Sequence, residues 1–105
     1  MSLMLSRAAF ERAAEFMRER ARPLERALFA YHFNGGSRTN VLAALVPYQN
    51  YDGGFGHGLE PDVRTPASSV IATITALDIL RRVRADEDTH GLPAALAYLV
   101  EQYDV

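Results

Sequence analysis

The chain has no cysteine. That excludes disulfides, thiolate zinc sites and a thiol nucleophile within these residues, and it fits a reducing, cytoplasmic setting. It has no lysine, all eleven cationic side chains being arginine. A lysine-dependent phosphate loop is thereby excluded, and the glycines near residue 54 come after a helical pattern where such a loop comes after a strand. No window of about 18 residues is apolar and free of charge, so no membrane span is expected. No basic stretch with an apolar one after it opens the chain, so no signal peptide is read. The formal net charge is only -2, which gives no broad nucleic-acid footprint. No stretch shows the alternation of a β-strand.

What is present is alanine, sixteen residues of it, and an apolar fraction of 49%, enough for a packed core. The alanines raise helix propensity. Together with the arginine-for-lysine bias they also fit a GC-rich bacterial genome. Met4 is an alternative start, which would make Met1-Ser2-Leu3 a cloning remnant, and residues 1–5 read as a tag or disordered start; the counter-reading takes the first three as native.

Five helices are expected. Ser6 caps the first, over residues 6–21, where Phe10, Ala13, Ala14, Met17 and Ala21 form one stripe and Arg and Glu take the other sides. Pro23 suits the first turn of a second helix over 23–33, ended by Asn34-Gly35-Gly36. Ser37 caps a third, over 38–46, which Pro47 kinks or ends. Residues 50–65 form a long loop holding four of the seven glycines; loops of this length are often functional. Thr65-Pro66 reads as N-cap and first helical residue of a fourth helix. Its run 67–80 is apolar on nearly every side, with Asp78 the one charge and Arg81, Arg82 and Arg84 at its end. Such a helix must be buried on most of its surface. That points to more protein around it, or to self-association through its apolar surface. A polar loop, Asp86-Glu87-Asp88-Thr89-His90-Gly91, precedes a last helix over 92–103.

Within the loop, Gln49, Asp52, Gly53, Gly54, Phe55 and Gly56 have structural uses. Asp52 can accept backbone N–H bonds in the turn. The glycines permit positive φ or close approach. Phe55 can anchor the loop in the core, and Gln49 can bond the end of a neighbouring helix.

The string Gln49-Asn50-Tyr51-Asp52-Gly53-Gly54-Phe55 resembles the Gln-x-x-x-Gly-x-Trp/Phe element of terpenoid cyclases and protein prenyltransferase β-subunits. In that family the element leads through an acidic, arginine-containing segment into an apolar inner helix. Glu60-Pro61-Asp62-Val63-Arg64-Thr65 and the apolar run 67–80 are similar to it. The similarity covers residues 49–80. It implies an all-α fold, a fragment of an α/α toroid, in which the element braces helices and does not catalyse. It also implies a central cavity that takes an isoprenoid or other apolar small molecule. Repeating arrays of this kind stack neighbours to bury each face. Gln102, 53 residues after Gln49, would open a second element, but Tyr103-Asp104-Val105 supplies neither glycine nor tryptophan.

For chemistry, His57, Glu60, Asp62 and Arg64 are the candidate cavity or loop site. Histidine and carboxylates hold divalent metals or share protons. The plainer reading has Glu60 and Asp62 capping the next helix and pairing with Arg64. No ligating cysteine and no Asp-x-Asp-Asp acid motif matches, so no catalytic signature is found. No cofactor is expected, a divalent metal at the acidic loop being the alternative. Three functions stand open: a structural or binding repeat module, part of an enzyme on an apolar substrate, or a helical dimerisation module.

Overall fold

The computed structural model describes residues 6–86 and 88–103. It is all-helical: α1 (Arg7–Arg20), α2 (Pro23–Phe33), α3 (Arg38–Leu45), a 3₁₀ turn at Val46–Tyr48, α4 (Val70–Arg82) and α5 (Leu92–Tyr103). The start at residues 1–5, Glu87 and the end at Asp104-Val105 lie outside the described residues, so the readings placed on them go no further. The chain divides into two compact units, Met1–Ala44 and Leu45–Val105.

In the first unit, Ser6 Oγ accepts from Ala9 N at 3.1 Å and starts α1. The α1 stripe of Phe10, Ala13, Ala14 and Met17 is half-buried, while Glu11, Arg12, Glu15 and Arg18 are exposed. Pro23 begins α2, and Arg22 and Glu25 meet through two bonds of 2.7 and 2.5 Å across its start. Phe29 of α2 stacks on Phe10 of α1 with ring centroids 5.7 Å apart. Asn34 and Gly36 both donate to Ala30 O, and Gly35 between them has φ +72°, closing α2 as a glycine there should. Ser37 Oγ caps α3 through Asn40 N.

The second unit opens with the 3₁₀ turn, into which Pro47 tightens the chain. It packs α4 against α5 and lays the glycine loop on both. Its apolar core is Phe55, Leu59, Ala72, Ala76, Leu80, Val83, Ala95 and Tyr98. The fourth helix starts later than Thr65-Pro66 predicts, because the loop holds residues 65–69 outside the helix. Pro66 O accepts from His57 N and Asn50 Nδ2, and Ser69 N donates to Phe55 O. Ser69, φ −136°, is the actual N-cap, its Oγ accepting from Ala72 N at 3.0 Å. Thr65 Oγ1 accepts from Ala67 N, which caps a local turn. Tertiary hydrogen bonds thus outweigh a good local start signal. Among the described residues the only β-pairing is two isolated bridges, Gln49 with Phe55 and Phe55 with Ser69.

Cover on all sides of α4 is not met within this unit. Ala72, Thr73, Ala76 and Leu80 are buried, but Ile71 is 55% and Ile74 48% exposed. One partner helix and one loop bury one face of a helix and leave the other wet.

Candidate functional site

The loop is built around Gln49. Its Nε2 donates to Gly53 O at 3.0 Å and to Gly91 O at 2.9 Å. Gly91 O also accepts from Ala95 N, so one amide joins the glycine turn to the first turn of α5. The sequence suggests an orphan helix-end group as the partner of Gln49; the group met is the carbonyl just ahead of Leu92. Gly53 N donates to Asn50 O and closes a turn with Tyr51, fully in solvent, at its tip. Gly53 has φ +87°, and a Cβ there would run into the Ala94 carbonyl. Gly56 faces the Ala67 carbonyl as closely. Phe55 is 2% exposed. Its N–H donates to Thr73 Oγ1 at 2.9 Å, and that hydroxyl donates to Ser69 O at 2.8 Å. Thr73, fully buried in α4, therefore ties the loop to the helix with no polar atom left over.

A polar chain runs outward from the turn. Asp52 Oδ1 accepts from Gly54 N at 2.9 Å and from Ser68 Oγ at 2.6 Å. Ser68 Oγ accepts from Asn50 Nδ2 at 2.9 Å, and Asn50 Oδ1 lies 2.6 Å from His57 Nε2. His57 is exposed and has φ +57°, the left-handed region that few side chains other than glycine adopt. It lines an open cavity of about 490 Å³ with Val46, Gln49, Asn50, Tyr51 and His90.

The other candidates are not gathered with it. Glu60 Oε2 is 3.4 Å from Thr75 Oγ1, whose proton is already given to Ile71 O at 3.0 Å. Arg64 Nε donates to Pro61 O, and Asp62 is exposed. The expected capping of the fourth helix by Glu60 and Asp62 is corrected by Ser69, which does that work. Among the described residues no ion pair joins Arg64 to either carboxylate. The cause is the late start of α4, which leaves the acidic segment well short of the helix end. Among the described residues no three His, Asp or Glu side chains gather as a metal site. Asp86 Oδ1 accepts from Asp88 N and Thr89 Oγ1, a local turn cap.

Asn50, Ser68, Thr73 and Gly91 belong to the site and were not singled out by sequence reasoning. Thr73 carried a signal, being a polar residue inside an apolar helix. No family model, curated protein or solved structure matches this chain.

Proposed function

We propose that this chain is a structural or binding repeat module of the terpenoid cyclase and prenyltransferase type, a piece of an α/α toroid in which the loop at 49–65 braces helices. The observation that carries this reading is the double bond of Gln49 Nε2, to Gly53 O within the turn and to Gly91 O at the next helix. A glutamine used this way, beside a glycine at positive φ and a buried Phe55, is a joint between two helices. Its Nε2 is taken up by two backbone carbonyls, which supports a bracing role for Gln49. The test is the gene around these residues. Further Gln-x-x-x-Gly-x-Trp/Phe elements at roughly 40–55-residue spacing are expected; their absence overturns the ring. A Cys, His and Asp set, or an Asp-x-Asp-Asp string, would shift the reading to an enzyme on an apolar substrate.

A second reading, self-association, has its own support. Ile71 and Ile74 on α4, and Leu96, Val100 and Tyr103 on α5, are exposed apolar side chains. The last three keep the i, i+4, i+7 spacing of one stripe. Sedimentation should show mass rising with concentration, and Val100→Glu should return a monomer. A compact monomer at high concentration removes this reading.

A further inference from the structure

Asn34-Gly35 and Asp52-Gly53 pair a short side-chain carbonyl with a following glycine. In such a pair the glycine nitrogen can attack that carbonyl and close a five-membered ring, since no side chain on the second residue obstructs the approach. The structure treats the two pairs differently. Asp52 Oδ1 accepts from Gly54 N and Ser68 Oγ, and Gly53 N donates to Asn50 O. Carboxyl and nitrogen are both engaged, and Gly53 lies tight against the Ala94 carbonyl. Asn34 and Gly35, by contrast, are exposed. Among the described residues neither the Asn34 side chain nor the Gly35 N–H has a hydrogen-bond partner. A Cβ at Gly35 would meet nothing within 4 Å. Asn34 has ψ +26°, so its Cα–C bond has to turn before Gly35 N reaches Cγ. The bond that this turn breaks, Gly36 N to Ala30 O at 2.8 Å, lies at a helix end, where opening is cheap.

We propose that Asn34 is a site of spontaneous covalent modification, converted by Gly35 N and then by water into aspartate and isoaspartate. Gly35 N forms a bond to Asn34 Cγ while the Cγ–Nδ2 bond breaks. The proton of Gly35 N leaves with Nδ2 as ammonia. Water then opens the ring at either carbonyl, its hydroxyl going to the carbon and its proton to Gly35 N. Opening at Cγ leaves aspartate in the ordinary backbone. Opening at the backbone carbonyl leaves the chain running through Cβ and Cγ. Water is the one co-reactant. Either product puts a carboxylate at the C-terminal end of α2, where the helix dipole disfavours negative charge. The isoaspartate also lengthens the backbone ahead of Gly35 and displaces Gly36 N from Ala30 O. Modification therefore loosens the last turn of α2. The site is independent of the toroid reading, which rests on Gln49.

The test ages the whole folded chain at mildly alkaline pH and body temperature, then digests it with trypsin for mass spectrometry. Cleavage after Arg26 and Arg38 isolates residues 27–38, in which Asn34 is the one asparagine. Residues 39–64 carry Asn40, Asn50 and Asp52-Gly53 as the internal comparison. The 27–38 peptide should gain one mass unit and split into two products, at least tenfold faster than the 39–64 peptide changes. The rate should rise with pH, because the attacking group is the deprotonated nitrogen of Gly35. Asn34→Gln should end the reaction, since the longer side chain closes only a slower six-membered ring. Amide exchange at Gly36 should quicken in the aged chain. An unchanged 27–38 peptide, equal change in 39–64, or the same mass gain in Asn34→Gln overturns the site.

Discussion

Gln49 Nε2 lies 2.9 Å from Gly91 O, a contact between residues 42 apart in the chain. It closes a ring of structure: α4 is fastened to the glycine turn by Thr73 and Phe55, the turn is fastened to α5 by Gln49, and α5 packs back on α4. Gly91, at φ +88°, leaves no room for a side chain beside the Gln49 amide, since a Cβ would stand 2.5 Å from Oε1.

Glycine positions in this loop should separate by surroundings. Gly53 and Gly58 both have positive φ, +87° and +76°. Alanine at Gly58 meets only Arg64 Cα at 4.0 Å, so it should cost about 1–2 kcal/mol from backbone strain alone. Alanine at Gly53 adds a collision with the Ala94 carbonyl and should cost clearly more. Urea unfolding of the two variants checks the order.

Thr73→Val keeps the shape and removes the acceptor of the buried Phe55 N–H. Leaving that group unpaired should cost about 1–3 kcal/mol. Phe55→Ala should cost more, about 3–5 kcal/mol, through a cavity in the core. Denaturant midpoints decide both.

Arg84 sits at φ +60° just past α4, where Arg84 N donates to Arg81 O and Ala85 N to Leu80 O. That pair of bonds is the helix-ending arrangement that favours glycine at the Arg84 position. Arg84→Gly should stabilise by about 0.5–1 kcal/mol, the relief of strain exceeding the entropy glycine loses. A lower melting temperature would count against the assigned geometry.

Two groups give opposite pH limits. The Arg81 hydrogen bond, aided by Arg82, holds Asp78 below the usual aspartate range. A depressed carboxylate contributes stability above about pH 4 and loses it as acid protonates the folded form. Burial, and then the Asp52 charge, push Tyr98 above the usual tyrosine value. A raised phenol contributes stability below about pH 10 and loses it as pH rises further. NMR titration of the Asp78 carboxyl and ultraviolet titration of the tyrosines should show these directions.

Much of the helical layout was legible because its signals are local. Ser6, Pro23, Asn34-Gly35 and Pro47 act within a turn of themselves, and α1, α2 and α3 begin or end at them. The start of α4 was not legible, since Thr65-Pro66 loses to bonds from Asn50, Phe55 and His57, all well back along the chain. Gln49, Asp52 and Phe55 were legible as turn and anchor residues. Asn50 and Ser68 were not, because their roles exist only once residues 18 apart meet. The wet face of Ile71 and Ile74 was hidden for a related reason: periodicity reports what is apolar, not how much protein is there to cover it.

The brace itself is tested most directly by Gln49→Ala, with denaturant unfolding and amide exchange as readouts. Losing both bonds from Nε2 should cost about 1–3 kcal/mol and speed exchange of the Ala95 amide at the start of α5. Stability within about 0.5 kcal/mol of the parent chain, with Ala95 exchange unchanged, would contradict the joint.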